Sequence, residues 1–172
     1  MDGINLDKNF AALIVMGVSG CGKTTVSRLL AEHLGWTYIE SDEYHSPDDI
    51  EKMSSGVPLN DEDRWPWLRR LHDVLLDHSA KNQPVVLACS ALKQSYRDLL
   101  VSGLDNINFI YLKGDFELIH QRMRQRQHYM KADMLRSQFD ALEEPRNAIV
   151  IDIQNSPEKI VENILAQTSE LI

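Results

Sequence analysis

The chain has 172 residues, 43% of them hydrophobic and 26% charged, which suits a single domain with a full central sheet. A formal net charge of −8 argues against nucleic acid or an anionic membrane surface as partner, so any phosphate site needs a local gathering of Lys and Arg. No stretch approaches the roughly 18 apolar residues of a membrane span, no basic-then-apolar leader opens the chain, and Cys21 and Cys89, without C-x-x-C spacing, read as reduced thiols of a cytoplasmic protein.

Residues 10–16 (FAALIVM) form a continuously apolar run ending at Gly17, the pattern of a strand buried on both faces. A helix follows over 24–34, with apolar residues at Val26, Leu29, Leu30 and Leu34 and a stop at Gly35. Further strands are predicted at 36–39, 84–89, 107–112 and 148–153. Helices are predicted over 61–78, with Asn60 or Asp61 as cap and Pro66 in or near the first turn, and over 92–101. Two more span 116–126, opened by Asp115, and 157–171, opened by Ser156 and Pro157. Buried strands alternating with helices predict an α/β fold: a five-stranded parallel sheet with helices on both faces and right-handed crossovers, all in one domain over 1–172. Two inserts break the alternation. One, at about 42–80, is expected to hold an acceptor, and one before the last strand, with a lid at about 124–136, is expected to cover it.

Gly17-Val18-Ser19-Gly20-Cys21-Gly22-Lys23-Thr24 matches G-x-x-x-x-G-K-[ST] at every fixed position. The glycines let backbone N–H groups of residues such as Ser19 and Cys21 turn inward onto phosphate oxygens, at the positive end of the following helix. Lys23 is expected on the β- and γ-phosphates, Thr24 on Mg²⁺, and Thr25 in the same cradle. The motif lies between a buried strand and a helix, as its mechanism demands. D-x-x-G and N-K-x-D are both absent, which excludes the GTPase pattern and leaves small-molecule and nucleotide kinases.

The second strand runs into Glu40-Ser41-Asp42-Glu43-Tyr44-His45, at the crevice where doubly wound sheets bind ligands. Asp42 can take the proton of an attacking hydroxyl or hold the Mg²⁺ shell; as a bland alternative it caps the next helix, the better reading for Glu43. His45 is a candidate acceptor contact or a cap. Lys52, Arg64, Arg69, Arg70, Lys93 and Arg97 gather cations in an acidic chain and point to an anionic acceptor, although any one of them alone reads as a solvated charge. Ser90 is a candidate for a metal-bound water, an acceptor hydroxyl or a simple cap. Arg122, Arg124 and Arg126 crowd one helix end; Arg122 and Arg126 share a face and can clamp the nucleotide and the transferred phosphoryl, with Arg126 taking a catalytic part beside Lys23 and Asp42. The helix dipole accounts for one such Arg better than for three.

Longer blocks carry a resemblance: Asp42-x-x-His45, Lys52-Met53-x-x-Gly56-x-Pro58-Leu59-x-Asp61-Glu62-Asp63-Arg64-x-Pro66-Trp67-Leu68, Cys89-Ser90-Ala91-Leu92-Lys93-x-x-Tyr96-Arg97-Asp98, Tyr111-Leu112-Lys113-Gly114-Asp115 and Ser137-Gln138-Phe139-x-x-Leu142-Glu143-x-Pro145. Over roughly 10–165 the chain resembles the P-loop gluconate kinases (gluconokinases), relatives of shikimate and adenylate kinases. The resemblance implies ATP, Mg²⁺ and D-gluconate as reactants, 6-phospho-D-gluconate as product, and a homodimer. It implies Asp42 at the 6-hydroxyl, with His45, Lys52, Arg64, Lys93, Arg97 and Gln138 at the acceptor and His128 in the lid. A kinase of another sugar acid or a shikimate-like acceptor is the alternative, and an ATP-binding regulator a third reading. The chain departs from the family at Glu40-Ser41-Asp42, where Asp-Gly-Asp is frequent, and at Gln127-His128-Tyr129, where Gly-His-Phe is common. Cys21 stands where Ser or Ala is usual and suggests sensitivity to oxidation.

Overall fold

The structure, a computed structural model, describes residues 10–126 and 132–169. Its centre is β1 (Ala12–Met16), every residue of which is fully buried. A strand with no polar face has to lie inside a sheet with layers on both sides. In chain order the other elements are α1 (Lys23–Leu34), β2 (Thr37–Glu40), a 3-10 turn (Ser41–Tyr44), α2 (Pro47–Ser54), α3 (Asp61–Ala80), β3 (Val85–Ala88), α4 (Gln94–Leu100), β4 (Ile107–Lys113), α5 (Phe116–Arg124), α6 (Ala132–Ala141), β5 (Ala148–Asp152) and α7 (Pro157–Thr168).

The strands are parallel and ordered β2-β3-β1-β4-β5. From β1 the chain moves outward to β2, and from β2 it returns past β1 to β4 and β5. With right-handed crossovers, α1 and α7 share one face, where they pack on each other, and α3 to α6 cover the opposite one. The reversal in strand order places the crevice at the C-terminal ends of β1 and β3.

The predicted strands are all present, but the fifth is not buried as expected. β5 is the sheet's edge: Ile151 packs inward while Val150 is half exposed. Two helices and the 3-10 turn escaped the sequence reading. α2 is short and mostly polar, yet its Ser46 cap and Pro47 at the first position were legible start signals. α6 carries Leu135 and Phe139 at helical spacing, continued by Leu142 just past its end, beside an otherwise polar run. Pro66 lies one turn deeper in α3 than expected, and α4 starts only at Gln94 because Ala91 adopts the left-handed region (φ 45°).

α3 starts with a reciprocal cap: Asn60 Oδ1 accepts from the Asp63 N–H at 2.9 Å, and Asp63 Oδ2 accepts from the Asn60 N–H at 3.0 Å. Leu68, Leu71 and Leu75 carry the same helix onto the core. Asn60→Ala is expected to lower unfolding stability by about 1 kcal/mol, read as a lower urea midpoint at unchanged slope.

Candidate active site

Residues 17–24 make a tight loop between β1 and α1. The Gly17 N–H donates to the Ser90 carbonyl at 3.3 Å, tying the loop to the end of β3. Gly17 has φ 147°, and a Cβ there would lie 2.7 Å from Cys21 Sγ and 2.9 Å from the Leu112 carbonyl oxygen. Gly20 has φ 81°, and its Cβ would lie 2.7 Å from Met123 Cγ. Only glycine fits at either place. The Met123 contact also seats α5 against the loop. Lys23 Nζ curls back onto the carbonyls of Gly17 and Val18, 3.0 Å from each.

The start of α1 differs from that of its neighbours. Ser46, Asn60, Asp115 and Ser156 cap α2, α3, α5 and α7 with side-chain oxygens. Gly22 offers α1 no side-chain cap, and its first turn holds no acid. Donors left in this way at a helix N-terminus select an anion. Cys21 and Cys89 are free and buried, and burial pushes the Cys89 thiol up to about 12. The expected oxidation sensitivity of Cys21 therefore lacks the exposure that such chemistry needs.

Beside the loop, the Thr24 hydroxyl donates to Glu40 Oε2 at 2.8 Å, and the Tyr38 hydroxyl donates to the same oxygen. The longer Glu40 thus reaches the Thr24 hydroxyl across the crevice. Asp42 follows on the 3-10 turn. Its side chain is 80% exposed at the crevice surface. Partial desolvation first, and then the Glu40 carboxylate, hold its carboxyl above the ordinary 3.8, with Lys23 and His45 pulling the other way.

α3 fixes this turn from behind. Trp67 Nε1 donates to the Ser41 carbonyl at 2.8 Å, and Arg70 Nε donates to the Tyr44 carbonyl at 2.7 Å. His45 stacks on Trp67, with ring centroids 4.3 Å apart and planes 15° from parallel. Only 6% of the His45 side chain is exposed, and its Nε2 lies 3.8 Å from Asp42 Oδ1, beyond hydrogen-bond reach. Burial lowers its pKa, so the imidazole stands neutral behind Asp42.

A recess of about 420 Å³, the candidate acceptor side, is lined by Leu59, Asn60, Asp61, Glu62, Arg64, Lys93, Tyr96, Ser137 and Ala141. Tyr96 is its hub. Its hydroxyl donates to Asp61 and accepts from Arg64 Nη1 at 3.3 Å, while the Arg64 and Lys93 cations lie 5.4 and 5.7 Å from its ring centre. Lys93 Nζ also binds Asp61 at 3.0 Å. These two partners, Tyr96 first, hold the Asp61 carboxyl below its ordinary value. Asp61 and Tyr96 were quoted in the family blocks but not singled out as site residues.

Of the cations expected here, Arg64 and Lys93 line the recess and four others do not: Arg69 is exposed, Arg70 is bound to the Tyr44 carbonyl, and Lys52 and Arg97 are engaged elsewhere. Lys52 pairs with Asp63 at 2.6 Å, on the capping box of α3. Arg97 is buried. It donates to the carbonyls of Ala91 (2.7 Å), Leu92 (3.0 Å) and Glu143 (2.8 Å) and to the Gln94 side chain, so it braces the turn after β3 and does not reach an acceptor. Gln138 also departs from expectation. Ser137 and Ala141, one turn apart on α6, face the recess, whereas Gln138, rotated by about 100° from Ser137, has its Oε1 2.7 Å from the Ser19 N–H of the phosphate loop. Ser90 takes part through its carbonyl at Gly17. Thr25 is exposed at the start of α1. Arg122 is half-buried and Arg124 and Arg126 are exposed, and among the described residues none of the three pairs with a carboxylate. His128 lies outside the described residues.

A five-stranded parallel sheet carrying this loop, with an acidic turn and a cation-lined recess beside it, defines a P-loop phosphotransferase of small molecules. A family model for shikimate kinase matches residues 19–169. A probable gluconokinase of Mus musculus is 45% identical over 93% of this chain and 96% of its own, and the thermoresistant gluconokinase of Escherichia coli (strain K12) is 43% identical over 92% and 91%. Among solved structures, a gluconokinase from Sinorhizobium meliloti 1021 superposes with a TM-score of 0.86 at 40% identity, covering 95% of this chain and 94% of that one. The chain belongs to the gluconokinase family of shikimate-kinase-like P-loop enzymes.

The Asp42 environment predicts opposite effects on stability and turnover. A carboxyl whose folded pKa is raised makes no difference to stability below the unfolded value of 3.8 and costs stability once pH passes the folded pKa. Asp42→Asn is therefore expected to raise the thermal midpoint at neutral pH, with the gain fading as pH falls to 3.8, while kcat collapses. Differential scanning calorimetry across pH reads the first effect and steady-state kinetics the second.

Proposed function

We propose that the protein is a gluconokinase that transfers the γ-phosphoryl group of ATP to the 6-hydroxyl of D-gluconate. What supports this reading is a phosphate loop whose helix has no side-chain cap, an Asp42 carboxylate that feels both Lys23 and Glu40, and a recess bearing cations and hydrogen-bonding oxygens. In this reading Gly17, Ser19, Gly20, Cys21, Gly22, Lys23, Thr24 and Thr25 hold the triphosphate, and Arg122 of α5 and Arg126 just beyond it flank it. Arg64 and Lys93 take the acceptor carboxylate, and Asp61 and Tyr96 take its hydroxyls. Asp42 receives the proton of the attacking hydroxyl, and its raised pKa strengthens it as a base.

The Thr24 hydroxyl with the Glu40 and Asp42 carboxylates is a hard-oxygen donor set of the kind Mg²⁺ takes, with phosphate and water completing the shell. Ser90 is assigned to that shell through a water. Mg²⁺, when bound there, offsets the charge on the phosphates. Among the described residues no group of three or more His, Cys, Asp or Glu is placed to chelate a metal. Insert 42–80 serves the acceptor, and the segment at 124–136, with His128, serves as lid. Among the described residues no helix is long and apolar enough to cross a membrane. A cytoplasmic homodimer completes the proposal, and gel filtration reads the assembly directly.

ATP consumption measured side by side with D-gluconate, other aldonic acids, shikimate and nucleoside monophosphates tests the reading. Gluconate is expected to give the highest kcat/KM, and a preference for any other acceptor overturns it. Lys23→Ala should lower kcat by roughly three orders of magnitude with the fold intact. Arg64→Ala should raise KM for the acceptor by about 10- to 100-fold, the range for losing a hydrogen bond to a charged group, with KM for ATP little changed.

A further inference from the structure

The contact between Gln138 and the phosphate loop is not part of acceptor binding. Ser19 sits inside the G-x-x-x-x-G-K-T cradle, a loop that holds phosphate through its backbone N–H groups. A side-chain oxygen from α6, 119 positions away in sequence, accepts from that N–H at 2.7 Å. A carboxamide oxygen carries the same kind of lone pair as a phosphate oxygen, at lower charge. One N–H cannot give both acceptors a full, straight hydrogen bond.

α6 is firmly placed for this role. Leu135 is fully buried, and the Arg136 guanidinium lies 4.7 Å from the Phe116 ring centre on α5. Just past the helix, the Glu143 N–H donates to the Leu92 carbonyl at 2.8 Å, and Glu143 Oε1 caps α4 by accepting from the Gln94 N–H at 2.9 Å. Ser137 and Ala141 of the same helix line the acceptor recess. One helix therefore touches the donor cradle through Gln138 and the acceptor recess through its neighbours.

We propose that Gln138 is a positioning residue that occupies the Ser19 N–H between turnovers and yields it to the triphosphate, so that nucleotide binding proceeds against this contact. The inference rests on the nucleotide-binding role of the loop. It predicts a sign that a purely supporting residue would not give, because removing a competitor tightens binding whereas removing a brace weakens it.

Isothermal titration of the full chain with a non-hydrolysable ATP analogue plus Mg²⁺, and with inorganic pyrophosphate, tests it. Gln138→Ala keeps a strong helix former on α6 and is expected to bind both ligands about fivefold tighter, the share of one neutral hydrogen bond. Gln138→Glu, which puts a full negative charge on the same N–H, is expected to bind both at least roughly tenfold more weakly. Unchanged or weaker binding by Gln138→Ala overturns the inference, as does unchanged or tighter binding by Gln138→Glu. Wild-type protein that binds neither ligand instead sinks the kinase reading itself, so the two failures are distinguishable.

Discussion

The site is organised by a shortage of hydrogen-bond acceptors at the start of α1. Four other helices of this chain close their N-termini with a Ser, Asn or Asp side chain. α1 begins instead on a glycine at positive φ, after a loop whose tightness requires glycine at Gly17 and Gly20. N–H groups in such a loop have water, a carboxamide or an anion as partners, and a phosphate satisfies several of them at once. The loop holds its shape without ligand because its carbonyls are tied to Lys23 and its first N–H to the end of β3.

Catalytic geometry then depends on residues that need not touch a substrate. Trp67 and Arg70 hold the backbone of the Asp42 turn, and His45 fills the space behind it as a neutral ring. Arg97 performs the same service for the turn after β3, where Ala91 is kept in a conformation alanine disfavours. Trp67, Arg70 and Arg97 direct hydrogen bonds to backbone carbonyls of loops beside the site, whereas His45 acts through its stacking on Trp67. Such residues are conspicuous in sequence because of their charge, and charge alone suggests ligand contact. This is why His45 and Arg97 read from sequence as acceptor residues although their side chains face inward.

The legible part of this fold was the part fixed by one-dimensional pattern. The apolar run 10–16, stopped by Gly17, reads as a buried strand, and the phosphate loop is specified by consecutive residues whose roles depend on local backbone geometry. Arg64 and Lys93, expected at an acceptor, both line the recess. What sequence could not give was rotation about a helix axis. Ser137 and Gln138 are adjacent, yet one faces the acceptor recess and the other the phosphate loop, and only the docking of α6 decides which. Lys52 was misread similarly, because its partner Asp63 sits on another helix and meets it only through tertiary packing. The half-exposed β5 reflects its place at the sheet edge, a property of strand order and not of its own apolar composition.

Charge distribution links the two half-sites to the kind of molecule each accepts. On the donor side Arg122, Arg124 and Arg126 carry no carboxylate partner among the described residues, and Lys23 is held only by neutral carbonyls. Unpaired cations of this kind suit a polyanion, since no existing ion pair has to break. The acceptor recess is different: Arg64 and Lys93 face Asp61 and Glu62, so it is formally balanced before any ligand enters. The recess therefore offers paired cations together with the oxygens of Asp61 and Tyr96, a mixture that matches a polyhydroxy carboxylate better than a bare polyanion.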